Sequence, residues 1–343
     1  MKKILLTIAT VVALVSCSKD ETITSNREVI GFNNVFVDNT TKVTDPSFSN
    51  TNLFRSFNVW GSVLAENGTT YVPVFANDNV SGTGIGNSNV WNCTTKTQYW
   101  IPTAKYQFAA VVNADKDNTG KDVVSLGTNE LPQTITYTAD DQKDLVYAIS
   151  GVYEGEKTGN DLVGFTFDHL LSKAIFTVIG AKPTNPNSGV SGNTDMIGQY
   201  TYDVHSIQIK NASPSGTVNV PKVAVVSDYT WTPVRTPGRV VSFGNITSHF
   251  DDAANECTAA KLLIPTNFAN SDKLQISFTV DIFYNGIKIT THDYTPELTV
   301  QLKSGKYYNF IIGVGIGDAI QFKVNEVDSW DPTIGTRKPV ASI

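Results

Sequence analysis

Apolar and polar residues alternate along most of this chain. Tyr106, Phe108, Ala110 and Val112 share one face of a run whose other face carries Gln107, Ala109 and Val111. Leu274, Ile276, Phe278, Val280 and Ile282 repeat the pattern over a longer stretch. Tyr308, Phe310, Ile312, Val314 and Ile316 form a third run, followed by Ile320, Phe322 and Val324. A period of two is that of a β-strand with one buried face. Asn285-Gly286, just before Ile287 and Ile289, supplies the two residues that tolerate positive φ and predicts a type I′ hairpin. Thr, Val, Tyr and Ile are abundant, and clusters of Gly, Asn, Asp and Pro interrupt the runs at short intervals. Helical periodicity after residue 16 is confined to Phe250 to Ala260, which fits one short helix. The pattern predicts an all-β protein of many short antiparallel strands arranged as sandwiches.

Length and charge narrow the picture. A chain of 343 residues exceeds the roughly 250–300 at which single cores stop growing, so two tandem domains are expected, residues 29–160 and 161–343. With 41% hydrophobic and 17% charged residues the chain is globular. A formal net charge of −6 gives no electrostatic footprint for nucleic acid. Long polar loops fall at Asn77 to Asn92 and Pro183 to Gln199. The first contains Ser81-Gly82-Thr83-Gly84-Ile85-Gly86, which lacks the Gly-Lys-Ser/Thr ending and the helix of a phosphate cradle. Gly313, Gly315 and Gly317 alternate with strand residues and form no dinucleotide site.

The N-terminus sets the compartment. Lys2 and Lys3 precede about a dozen mainly apolar residues, Ile4 to Val15, the two leading regions of a secretory signal and too short for a membrane span. Leu14-Val15-Ser16-Cys17 resembles the lipobox of bacterial lipoproteins, which implies cleavage after residue 16 and a lipid on Cys17. Ser18-Lys19-Asp20-Glu21 resembles the export signal that sends Bacteroidetes lipoproteins to the outer face of the outer membrane. Residues 17–28 then form a tether. Loss of residues 1–16 removes two lysines and moves the formal charge from −6 to −8. Acyl chains give stable anchoring when more than one is present. Cys93 and Cys257 remain, in a compartment that permits a disulfide without requiring one.

Several motifs carry a family likeness. Phe167-Asp168-His169-Leu170-Leu171-Ser172-Lys173, preceded by Asp144-Leu145-Val146-Tyr147-Ala148, resembles a pattern in the Bacteroidetes fimbrillins, the type V pilus subunits. Tyr99-Trp100-Ile101-Pro102 and the ending Gly305-Lys306-Tyr307-Tyr308-Asn309-Phe310, with Trp330 beyond it, are similar to the same family. The resemblance implies two transthyretin-like β-sandwich domains, a lipidated precursor, and assembly with other fimbrial subunits into adhesive surface fimbriae. It also implies strand exchange: a trypsin-like protease removes the first strand at an arginine, and another subunit's C-terminal strand fills the groove. On this chain the removable strand is Val29 to Val37, and the cleavage site is Arg55, or Arg27. The donor is Ile320 to Val327 with the extension Asp328 to Ile343.

Catalytic chemistry finds no support. His169, His205, His249 and His292 are scattered, with no metal-ligand spacing, and nucleophile signatures are absent. Asp140-Asp141 and Asp251-Asp252 are adjacent carboxylates of solvated loops. Asn113 to Asp122 resembles a calcium loop only faintly, because Leu126 stands where a bidentate glutamate belongs. No cofactor or metal is expected. The competing reading is a surface glycan-binding lipoprotein, which needs exposed aromatics. Of the five tryptophans, Trp60, Trp100 and Trp330 adjoin alternating strands, leaving Trp91 and Trp231 as the candidate glycan contacts.

Overall fold

The computed structural model describes residues 28–37, 56–82, 91–114, 123–140, 143–155, 162–181, 200–222, 229–249, 256–269, 271–315 and 321–327. Among the described residues there is no helix, and the all-β expectation holds. The first ten strands are β1 (Phe32–Val37), β2 (Ser56–Leu64), β3 (Tyr71–Gly82), β4 (Trp91–Cys93), β5 (Lys105–Val112), β6 (Val124–Leu126), β7 (Pro132–Thr138), β8 (Val146–Ile149), β9 (Tyr153–Glu154) and β10 (Val163–His169). There follow β11 (Ser172–Ala181), β12 (Tyr200–Ala212), β13 (Ser215–Asn219), β14 (Thr230–Val234), β15 (Arg239–His249), β16 (Glu256–Cys257) and β17 (Lys261–Leu263). The last are β18 (Asn267–Phe268), β19 (Leu274–Tyr284), β20 (Ile287–Tyr294), β21 (Glu297–Leu298), β22 (Val300–Gln301), β23 (Tyr307–Gly315) and β24 (Gln321–Val327).

Eight strands form the largest sheet, in the order β2-β3-β4-β1-β10-β8-β5-β9, and β2 also pairs with β5. The pairing therefore returns on itself, and β1 is one link of a closed ring. Closure removes free strand edges. Alternating residues of these strands point inward and build an aromatic core of Phe32, Phe57, Phe75, Phe108, Phe165 and Phe167. Gly61 lies so close to this core that a Cβ there would sit 2.6 Å from the Phe108 ring. A four-stranded sheet, β14-β13-β7-β6, covers the same core with Ile135, Tyr137 and Val218. β10, β13 and β14 thus serve the first core although they lie beyond residue 160.

The second core lies between the β16-β11-β23-β24 sheet and the β15-β12-β19-β20 sheet. Phe176, Tyr202, Ile209, Phe243, Phe278 and Phe310 fill it. β17 serves both cores: Leu262 joins the first cluster and Leu263 the second. The β19–β20 turn is the hairpin that the sequence predicts, with Asn285 at φ 49° and Gly286 at φ 77°.

Four features depart from expectation, the first being residues 77–82, expected in a loop, which complete β3 against β2. β1 runs parallel to β10, and β11 runs parallel to β23. Parallel pairing needs long crossovers, which strands this distant in sequence have. Glu256–Cys257, within the segment expected to be helical, forms β16 against Thr177 and Val178. Trp91 begins β4 and is 6% exposed, not part of an open loop.

Candidate functional site

The first strand is held by backbone bonds on both sides. Before β1, Val29 bridges Tyr99; the Ile30 N–H donates to the Gln98 carbonyl at 2.8 Å, and the Trp100 N–H to the Glu28 carbonyl at 3.0 Å. The Val163 N–H donates to the Gly31 carbonyl at 2.8 Å and leads into the parallel ladder with β10. That ladder skips one residue: Asn33 faces Gly164 and Val35 faces Phe165. β4 touches the strand only where Phe32 faces Trp91.

Phe32 is the centre of this seat. It is 0% exposed, and its ring centroid lies 5.9 Å from Phe57, 5.7 Å from Phe75, 6.2 Å from Phe108 and 5.9 Å from Phe165. Three of the four contacts are edge-on, the geometry that ring quadrupoles favour. Ile30 is buried on the same face. The seat is an apolar slot with a row of backbone donors and acceptors along its walls. Such a slot has the shape and hydrogen-bonding pattern that suit an extended chain.

The family-like motifs meet at a second place, the corner between β10 and β11. The Asp144 carboxylate bonds to Nδ1 of His169, both side chains 3% exposed. The Tyr229 hydroxyl donates to Asp168 at 2.5 Å. Burial, and then the Asp168 charge, push that hydroxyl far above its ordinary pKa, so it keeps its proton and remains a donor. Trp231 Nε1 donates to the Leu170 carbonyl and to Ser304 Oγ, each at 3.0 Å. The Gly305 N–H reaches the Leu171 carbonyl at 2.9 Å, and the Lys173 N–H reaches that of Lys306 at 2.9 Å. Residues 144–148, 167–173 and 304–308 are therefore parts of one buried joint between the two cores. The sequence showed these motifs without showing that they touch.

The remaining predicted residues divide as follows. Cys17, Arg27 and Arg55 lie outside the described residues; Arg27 precedes the bonded segment at Glu28, and Arg55 precedes β2. Asp328 to Ile343 and most of Asn113 to Asp122 also lie outside them. Trp91 packs on Phe57 at 5.5 Å and is a core residue, so the exposed position expected for it is corrected. Trp231 is half-buried with its indole N–H bonded in the joint. Cys93 and Cys257 are separate free thiols, near Thr95 and Thr177 respectively. Among the described residues no group of three or more His, Cys, Asp or Glu is placed to hold a metal ion. No helix among them is long and apolar enough to cross a membrane.

A family described as fimbrillin-like matches residues 41–330. None of the curated proteins matches the chain. Among solved structures, a Bacteroides uniformis protein ascribed to cell adhesion is similar at 14% identity and a TM-score of 0.47, over 89% of this chain and 98% of the other. A fimbrial assembly protein from Parabacteroides distasonis is similar at 12% identity and a TM-score of 0.42, over 88% of this chain and 100% of the other. The fimbrial anchor protein Mfa2 from Porphyromonas gingivalis is similar at 12% identity and a TM-score of 0.31, over 87% and 97%.

Proposed function

Since the chain belongs to the fimbrillin-like family, we propose that it is a lipid-anchored subunit of surface fimbriae that polymerises by strand exchange and supports adhesion. Membership of that family makes it a structural protein rather than an enzyme. The observation that carries the mechanism is the position of Phe32. One short strand supplies the central ring of the first core and one link of its closed sheet, yet the chain from β1 to β2 runs through Arg55. A cut there frees β1 covalently and leaves an apolar slot. Burial of Ile30 and Phe32 stabilises the closed form by about 1.5–3 kcal/mol each, as an upper bound. An uncut β1 thus keeps the subunit inert, and a donated strand restores the lost burial. A cut at Arg27 would shed only the tether.

The precursor reaches the outer face of the outer membrane on the lipid of Cys17, and its partners are other fimbrial subunits. The glycan-binding alternative draws nothing from Trp91, which is buried, or from the bonded indole N–H of Trp231.

The test is polymerisation of the purified precursor after trypsin-like cleavage. Cut protein is expected to form ladders of oligomers, and Arg55→Ala to stay monomeric under the same treatment. Efficient polymerisation of Arg55→Ala rules out this cleavage site. A cut wild type that stays monomeric argues for a subunit that does not accept strands.

A further inference from the structure

The end of the first core at which the chain enters the fold carries apolar residues that the fold does not cover. Val29 and Tyr99 form a non-hydrogen-bonded antiparallel pair, since the bonds on either side run from the Ile30 N–H to the Gln98 carbonyl and from the Trp100 N–H to the Glu28 carbonyl. In such a pair the two side chains stand close together on one face. The neighbours Ile30 and Trp100 turn inward and are buried, which leaves Val29 and Tyr99 outward, 50% and 45% exposed. Ile101 follows at 55%. Its N–H donates to the Tyr106 hydroxyl at 2.9 Å, and its carbonyl accepts from the Ala104 N–H at 3.3 Å. Backbone bonds on both sides thus hold the isoleucine outward.

A second apolar pair stands at the same end of the sheet. Tyr71 and Val72 open β3, and both are exposed. Leu64 pairs with Tyr71 on one side and with Lys105 on the other, so the tip of the β2–β3 hairpin lies beside the turn that leads from Ile101 into β5. The charged residues flanking these positions are of both signs: Lys105 faces Glu154, and Glu66 stands in the hairpin turn. Aliphatic and tyrosine side chains without a single charge sign suit the boundary between lipid headgroups and acyl chains better than a charged partner.

The position of the anchor selects the occupant. Glu28 is eleven residues after Cys17, and its carbonyl is bonded to Trp100, between Tyr99 and Ile101. Eleven residues reach at most about 40 Å when fully extended, so a lipid on Cys17 keeps this end within that distance of its membrane. So short a tether holds the patch at a high effective concentration, at which a contact too weak to bind membranes unaided is occupied. Ile287 and Ile289 are at least as exposed, but nothing in the chain brings them to a partner. We propose that Val29, Tyr99, Ile101, Tyr71 and Val72 form a docking surface for the lipid bilayer that carries the Cys17 anchor, and that the precursor rests on it with this end down. The proposal rests on the lipid-anchor reading and adds the orientation in which the anchored protein is held.

The experiment uses the full-length lipoprotein in phosphatidylcholine vesicles, in a Cys93→Ser and Cys257→Ser background. One environment-sensitive fluorophore is placed on Ile101→Cys, on Val72→Cys or, in the second core's hairpin, on Ile287→Cys. The labels at 101 and 72 are expected to be quenched about twofold or more by nitroxides near the top of the acyl chains, because interfacial apolar residues reach about 5–10 Å deep. The label at 287 is expected to be unaffected. Val29→Ser with Tyr99→Ser, both at exposed positions that the fold tolerates, is expected to remove the quenching at 72; its persistence overturns the assignment. Protein that floats with the vesicles while 101 and 72 are quenched no more than 287 overturns the inference and leaves the anchor standing. A signal at 101 that follows protein concentration instead of the quencher gives the patch to a second copy and also overturns it. Protein that does not float with the vesicles overturns the anchor reading and the inference with it.

Discussion

Phe32→Ala removes one ring from contact with four others, at a site the closed sheet cannot collapse to fill. The expected loss is about 3–5 kcal/mol of stability, typical of a buried phenylalanine truncated to alanine, read as a lower denaturant midpoint of the uncut protein. Val29→Ala, three residues away and 50% exposed, is expected to change stability by less than about 0.5 kcal/mol. Equal losses at the two sites would contradict the placement of Phe32. The sequence identified Phe32 as an apolar strand position, because alternation reports which face is buried. It could not identify the residue as the hub, because Phe57, Phe75, Phe108 and Phe165 come from four other strands. Asp144 and His169 stood in recognised motifs for a similar reason: 25 residues apart in sequence, they become partners only once β8 and β10 pair. Trp91 was misjudged because its Asn-rich neighbours suggested a loop, whereas its indole covers Gly82 and Phe57.

Strands were more legible than their pairings. β19 follows the alternation, β5 and β23 form where the apolar runs predict them but bury residues of both faces, and the β19–β20 hairpin follows from Asn285-Gly286, since these signals are local. The parallel pairs β1–β10 and β11–β23, and the passage of β13 and β14 to the first core, depend on contacts remote in sequence and leave no periodic trace. The hairpin also carries a pH-sensitive contact. Lys288 Nζ lies 2.5 Å from Asp281, and Thr291 donates to it at 2.6 Å. The Lys288 bond first, and then that of Thr291, hold the Asp281 carboxyl below its ordinary 3.8. A lowered folded pKa stabilises the hairpin above pH 3.8, and that stabilisation is lost as pH falls through the lower folded value. Amide exchange across Ile287 to Tyr294 should therefore become relatively faster than in β5 of the first core when pH drops from about 5 to about 3. Asp281→Asn should abolish the difference; an unchanged ratio in the wild type would refute it.

At the scale of the whole molecule, the prediction concerns attachment. Cys17→Ala should release the protein from the membrane fraction, because on the proposed reading its acyl chains provide the binding energy. Retention of the variant after a high-salt wash would show that another segment holds it. The general class was legible early, in the order of weak motifs along the chain. Their physical sense emerges only in the folded molecule, where residues 144–148, 167–173 and 304–308 close one joint.

That joint also has a mechanical meaning. β10 seats the first strand, β11 seats β23, and only Leu170 and Leu171 separate β10 from β11. In a strand-exchanged fibre, tension from one neighbour would enter at β10 and leave through β11 and β23 toward the donated strand. The seats at both ends are parallel ladders, whose evenly spaced bonds share a pull along the strand as shear instead of opening singly. The two leucines carry that tension between the ladders, and bonds from Trp231, Ser304 and Gly305 pin their carbonyls in place. A fibre of such subunits would take a pull through the covalent corner from β10 to β11 and through a hydrogen-bonded ladder at each end, of which the one at the slot left by β1 is the shorter.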